Sequence, residues 1–303
     1  MSFETDLLID RRRLVRRLVA WRAVAILGVL AAVLVAIGRA GWLPQGPHIE
    51  RLTVSGLITE DRARTEAVEK LARDPMVAAL IVSVDSPGGT VAGGESLHDA
   101  IAQVAAVKPV VTVMRGVAAS AAYMVSVPAA RIFARGATLT GSIGVLLETG
   151  EISGLLDKLG IATDTIVSGP LKDQPSFFHP TSPQGQQVLQ GLVTDLYEQF
   201  VAMVATGRHM SVEQVKKLAD GRAYTGRQAL ALGLVDQLGG ERAARDWLVR
   251  VRHVPRGLPV RDLKTGGWSV DGVRATLSGL LGFAVGPVLP ASGAWALWRP
   301  GAN

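Results

Sequence analysis

Cysteine is absent from all 303 residues. That excludes disulfides, thiolate nucleophiles and Cys-ligated zinc, so covalent catalysis would have to use serine, threonine, lysine or a carboxylate. It says nothing about compartment. Histidine is scarce: His48, His98, His179, His209 and His253 are the whole set, and none sits in a recognisable triad setting. His98 precedes Asp99 in a predicted helix, where neighbouring residues point to different sides. His179, in the loop SFFHP, is the one histidine kept as a candidate base. Neither Walker A nor GxGxxG spacing is matched, which leaves a nucleotide site poorly supported. No repeat of the solenoid or propeller kind is present.

What the chain does contain is apolar residue, 48% of it, enough for a sizeable core, and a net charge of +6. The positive charge is not spread like a nucleic-acid face. Six arginines fall between Arg11 and Arg22, and the next 16 residues, Ala23 to Gly38, carry no charge. Trp21 and Trp42 flank that run, as interfacial tryptophans do. The run is shorter than the roughly 20 residues of a typical span, but arginines can snorkel. We therefore expect a single membrane anchor over 23–40, preceded by a cytoplasmic basic segment over 1–22. The positive-inside rule then places everything after Trp42 outside. The basic excess is thereby explained by topology, and no nucleic-acid partner is expected. Two alternatives are a cleaved signal peptide, with Gly38 and Ala40 as small residues before the cut, and a buried soluble helix.

Gly41 to His48 (GWLPQGPH) reads as a linker. From Ile49 the pattern alternates: strands at Ile49–Ser55, Val77–Val84, Val110–Met114 and Arg131–Ala134, and helices at Thr59–Arg73 and Gly94–Ala106. A short helix begins at Ser120. This is the pattern of βαβ units, so the fold class is α/β with a mostly parallel sheet and flanking helices. A helix at Ile152–Leu159 and a strand at Ala162–Val167 are expected to continue it. Helices then dominate, at Ser182–Arg208, Ser211–Leu218 and Gly226–Ala231. The folded domain is bounded at 49–253. The tail, 254–303, holds 24 uncharged residues from Ala275 to Trp298, broken by Pro287 and Pro290 among others. It is read as a loosely ordered apolar segment lying on a membrane, a neighbouring subunit or a groove, with a second membrane span and ordinary core as the alternatives.

Ligands of an open parallel sheet bind at the carboxyl ends of its strands, which directs attention to two loops. In VDSPGGT, Val84 to Thr90, paired glycines let backbone N–H groups turn inward, as an oxyanion-binding loop requires; a plain tight turn is the other reading. In RGVAASAAYM, Ser120 opens a helix, where a serine is ordinarily a cap. If the two loops are neighbours, the N–H of Gly89 faces the hydroxyl of Ser120, and donor and nucleophile come together. A serine nucleophile needs a base, and Lys172 in GPLKDQPSFF is the candidate besides His179. A lysine can serve if burial lowers its pKa.

These motifs together resemble the bacterial signal peptide peptidase A family, membrane-anchored serine/lysine peptidases on the ClpP/crotonase superfold. The resemblance covers about Leu52 to Ala243. VDSPGG is similar to the family's glycine loop, RGVAASAAY to its nucleophile segment and TLTGSIGV (Thr138 to Val145) to the strand-turn that follows. SGPLKD is similar to the base-bearing segment, and DGRAYTGRQALALGLVDQLGG (Asp220 to Gly240) to the C-terminal signature. The resemblance implies that Ser120 is the nucleophile, Lys172 the general base and Ser142 the hydroxyl that orients the lysine. Gly89, with Ala121, would form the oxyanion hole. It also implies remnant signal peptides or other apolar peptides as substrates, and no metal or cofactor. A homo-oligomer in which serine and lysine can come from neighbouring protomers is implied too. Two departures stand out: Ala121 and Ala122 replace the family's two glycines after the nucleophile, and Ala130 stands where an aspartate is common.

Three other functions compete. A peptidase of integral membrane proteins would share every catalytic residue. A catalytically inactive scaffold would use the fold to hold partners, but Ser120, Lys172 and Ser142 are all retained. A crotonase-like acyl-CoA enzyme would rely on glutamates, and none occurs between Glu95 and Glu148.

Overall fold

The computed structural model describes residues 17–30, residues 46–265 and the backbone of 295–297. The chain divides into two compact units, Met1–Gly46 and Pro47–Asn303. In the first, residues 17–30 are helical with exposed side chains. The remainder of the expected anchor lies outside the described residues, as does most of the tail. Among the described residues, no helix is long and apolar enough to cross a membrane.

The second unit is built on strands β1 (His48–Ile58), β2 (Val77–Thr90), β3 (Val110–Ala119), β4 (Arg131–Ala134), β5 (Leu139–Gly141), β6 (Ala223–Thr225), β7 (Gln237–Leu238), β8 (Val260–Asp262) and β9 (Trp295–Leu297). They form one sheet in the order β6-β5-β3-β2-β1-β8, with β4 joining β3 to β7 and β9 beside β2. Pairing is parallel except for β5 with β6 and β2 with β9. The helices are α1 (Arg62–Leu71), α2 (Val91–Ala105), α3 (Ala121–Met124), α4 (Ser153–Lys158), α5 (Pro183–Arg208), α6 (Val212–Leu218), α7 (Gly226–Ala231) and α8 (Glu241–Val251).

The run VAALIVSV is apolar almost throughout because both faces of β2 are covered, as buried parallel strands require. Leu80, Val82 and Val84 join one core with Leu97 and Ile101 of α2, Tyr123 of α3 and Phe200 of α5. Ala79 and Ile81, with Val111, Val113 and Phe133, pack on the other side against Ala244 and Leu248 of α8. Helix starts follow capping rules. Asp61 accepts from the Arg64 N–H at 3.0 Å, Thr90 from Gly93 at 3.1 Å and Ser182 from Gly185 at 3.0 Å, with Pro183 in the first turn. Ser211 and Thr225 each complete a capping box.

One expected element is missing: Ala162–Val167 is not a strand. Its backbone pairs with no strand among the described residues, and Ile166 is left 97% exposed. The predicted strands elsewhere are present; Arg131–Ala134 has the expected bounds, and the other three run further at their carboxyl ends. β2 and β3 run on to Thr90 and Ala119, so the glycine loop and the approach to Ser120 are themselves strand ends.

Candidate active site

Adjacent parallel strands bring the two loops together. β2 and β3 pair from Leu80↔Val110 to Ser86↔Ala118, so Gly88–Gly89, at the end of β2, and Ser120, just past β3, lie at neighbouring strand ends. The glycines differ in their need. Gly88 has φ +117°, open only to glycine at low cost. Gly89 is fixed by space: a Cβ there would lie 1.8 Å from the carbonyl oxygen of Ile58, its partner on β1. The buried Ser86 hydroxyl accepts the Gly88 N–H at 3.1 Å and holds the turn.

Ser120 sits at the junction of β3 and α3 with φ 58° and ψ −124°, a conformation costing a non-glycine residue roughly 1–3 kcal/mol. Its N–H donates to Gly141 O at 2.9 Å, while its carbonyl accepts from Tyr123 at 2.8 Å and Met124 at 3.0 Å. The side chain is spared from capping. Ser120 is fully buried, and its Oγ has no hydrogen-bond partner among the described residues. Burying an unpaired hydroxyl is unfavourable, so a strained residue with an idle hydroxyl is poor structure and suits a nucleophile held ready.

Its surroundings are rigid. Asp85 Oδ1 accepts the Val117 N–H at 3.1 Å, and the hydroxyls of Thr138 and Thr140 donate to Arg115 O at 2.6 Å and Ala118 O at 2.8 Å. Tyr123, wholly buried, donates its hydroxyl to Leu234 O at 2.9 Å, and that burial pushes its pKa well up. Arg208 forms a two-pronged pair with Asp236 at 2.5 and 3.0 Å. Asp236 also accepts the Ile132 N–H at 2.7 Å, so a carboxylate does meet the head of β4 although Ala130 cannot supply one.

Ser142 follows β5 with φ 48°, is 5% exposed, and donates its N–H to Arg222 O at 2.9 Å. β5 pairs with β3 through Ala119↔Gly141, which brings Ser142 to the same end of the sheet as Ser120. Lys172 is not brought in. It is exposed, its N–H donates to Gly169 O at 3.0 Å, and the orphaned Ser120 Oγ shows that the two do not bond within one chain. His179 does not bond Ser120 either, and His98 Nδ1 lies 2.9 Å from Asp99 Oδ1 on α2. Both Ala121 and Ala122 are fully buried. Sequence reasoning passed over Asp85, Thr140, Tyr123 and Asp236. All four lie inside the quoted motifs, so the motifs held the signal without the roles.

The edge of β2 at the glycine loop is occupied. Residues 295–297 pair antiparallel with it, Gly88↔Leu297, Gly89↔Ala296 and Thr90↔Trp295.

With this geometry in hand, residues 102–254 match the model of peptidase family S49. The chain belongs to peptidase family S49. A Synechocystis protein named as a protease is 41% identical over 200 residues, spanning 66% of this chain and 72% of that one. An Enterococcus faecium protein named as a signal peptide peptidase is 40% identical over 188 residues, 62% of this chain and 55% of the relative. Protease 4 of Salmonella typhi is 41% identical over 167 residues, 55% of this chain, and the match spans only 27% of it. Among solved structures, ClpP1 of Listeria monocytogenes aligns with a TM-score of 0.40 and 18% identity over 64% of this chain and 93% of that one. Every strand from β4 to β7 lies within the S49 match, and so does Ser120.

Proposed function

We propose that this S49 member is a membrane-anchored serine endopeptidase that cleaves remnant signal peptides and other membrane-associated apolar peptides by acyl-enzyme chemistry. The observation that carries the reading is Ser120: buried, strained, without a hydrogen-bond partner, and beside the glycine loop. Ser120 Oγ attacks the scissile carbonyl, and the N–H groups of Gly89 and Ala121 receive the charge developing on its oxygen. Lys172, as the neutral amine, takes the hydroxyl proton and returns it to the leaving amine, with Ser142 fixing its rotamer. Water then releases the acyl group by the same proton path. These steps call on no metal or cofactor.

Lys172 reaches a serine in a neighbouring copy of the chain. Its exposure and the idle Ser120 hydroxyl support this, because each chain then holds half of two sites. Exposed apolar side chains surround it in sequence: Ile152, Leu155, Ile161, Ile166 and Phe177 suit burial against a second copy or an apolar peptide. The antiparallel strand beside Gly88–Thr90 supports binding of an extended peptide at that edge. The arginine cluster and the uncharged run after it support an inner-membrane anchor with the catalytic domain in the periplasm.

Mixing Ser120→Ala chains with Lys172→Ala chains tests the arrangement. Each alone is inactive on apolar peptides, and the mixture regains up to about a quarter of wild-type activity per chain if sites are shared at random between two copies. Silence in the mixture refutes sharing, and activity in Ser120→Ala alone refutes the nucleophile.

A further inference from the structure

The two alanines after Ser120 are the chain's departure from the family's glycine pair, and the structure shows what faces the first of them. A Cβ built on Gly94 of α2 would lie 3.0 Å from the Ala121 methyl and 3.0 Å from Met124 Sδ, with Ala121 Cα at 3.6 Å. The Ala121 methyl therefore points at α2, into a space left by a glycine. Both residues lie in buried stretches of their helices, so neither can relax into solvent. Gly93 next door is closed on another side, since a Cβ there would meet the carbonyl carbon of Thr59 at 2.5 Å. The first turn of α2 is wedged between the end of β1 and the turn carrying the nucleophile.

The position of this contact gives it meaning. α2 leaves directly from the glycine loop, with Thr90 as its cap, and Gly94 is five residues beyond Gly89. α3 leaves directly from Ser120, and Ala121 is the next residue. The Gly94–Ala121 contact is thus the point where the helix from the oxyanion loop rests on the helix from the nucleophile. Its thickness, one methyl group, bears on the spacing of Gly89 and Ser120.

We propose that Gly94 is a positioning residue: with Ala121 it forms a size-matched pair that sets the gap between the glycine loop and Ser120. The proposal rests on Ser120 being the nucleophile. It also accounts for the alanine at 121, whose methyl occupies the gap to α2 and leaves its N–H free to serve the oxyanion hole. The pair holds one methyl; carried by residue 94 instead, it would still approach Met124 Sδ at 3.0 Å, a contact the flexible methionine side chain can relieve.

The test uses the full chain, with the rate of labelling by a serine-directed fluorophosphonate, normalised to folded protein, and thermal unfolding measured in parallel. Gly94→Ala puts a methyl on each side, so the neighbours must give by a few tenths of an ångström. Labelling is expected to slow about 3- to 10-fold, in line with the steep dependence of such reactions on placement. The double variant Gly94→Ala/Ala121→Gly moves the single methyl across the gap and is expected to recover most of the rate. Gly239→Ala is the control for packing alone: it collides with Ala243 at 2.7 Å on the opposite face of the sheet, so it lowers the unfolding temperature and leaves the labelling rate unchanged. If Gly94→Ala labels at the wild-type rate, or the double variant is no faster than the single, the proposal is overturned. If Gly94→Ala does not fold, a folded and reactive double variant supports it and an unfolded one overturns it. Labelling that persists in Ser120→Ala is a separate result: it removes the nucleophile reading on which the proposal rests.

Discussion

Replacing Gly89 by alanine is the sharpest steric perturbation available at the site. The new Cβ would lie 1.8 Å from Ile58 O and 2.5 Å from both Ile58 C and Ile58 N. A carbon approaches a carbonyl oxygen between strands no closer than about 3.3 Å. The strand ends must therefore separate by about 1.5 Å at Ile58↔Gly89, where both neighbours are backbone and neither can rotate away. Overpacking of this kind costs roughly 1–3 kcal/mol. At about 2–4 °C per kcal/mol for a domain of this size, the unfolding temperature should fall by about 2–12 °C. Catalysis should suffer more, since displacing a catalytic group by about 1 Å can cost on the order of 100-fold, and losing an oxyanion donor costs about 100- to 1000-fold. Calorimetry and hydrolysis of a fluorogenic apolar peptide read the two effects separately. A Gly89→Ala protein that melts and cleaves like wild type would refute the reasoning, because it would mean that β1 and the glycine loop are not in contact as described.

Three further expectations follow from particular residues. Ser120→Ala removes a buried hydroxyl that has no partner, and such a group costs roughly 1–3 kcal/mol, so the variant should be inactive yet melt at or above the wild-type temperature; a clear drop would show that Ser120 has a structural bond. Burial raises the pKa of Glu50 above its usual 4.5 despite His48 Nε2 at 3.1 Å. Its contribution to stability is therefore fully present below pH 4.5 and is lost as pH rises through the higher native value; the unfolding temperature of Glu50→Gln should gain on wild type between pH 4 and 7, and a gap independent of pH would contradict this. Deleting residues 290–303 frees the edge at Gly88–Thr90, so labelling of Ser120 should become faster, whereas an unchanged rate would mean the pairing does not hinder access.

How much of this could be read from the sequence differs by feature. Alternating apolar runs revealed the parallel sheet because β2 and β3 are buried on both faces, and burial is what hydrophobic pattern reports. The glycine loop and Ser120 were legible because their chemistry requires unusual residues: Gly89 for space, and a hydroxyl at a strand-to-helix turn. Ala162–Val167 misled for the complementary reason. Its place in the alternation of strands and helices promised a strand, but pairing is decided by tertiary contacts, and among the described residues this segment joins no strand. The same limit applies to Lys172, which is exposed within one chain, and no local pattern says which group it meets. The antiparallel pairings of β5 with β6 and of β2 with β9 join segments far apart in sequence, and no local pattern announces them. The methyl-sized fit of Ala121 to Gly94 lay likewise beyond sequence reading, because it depends on how closely two helices approach.

The central claim is that Ser120 is a nucleophile whose proton passes to Lys172. It is tested most directly by labelling the full chain with a serine-directed acylating probe and comparing wild type, Ser120→Ala and Lys172→Met. The account predicts one labelled residue, Ser120, in the wild type, none in Ser120→Ala, and labelling of Lys172→Met slowed by about 100-fold or more, as loss of a general base entails. Labelling that persists in Ser120→Ala, or that proceeds at the wild-type rate in Lys172→Met, would contradict it.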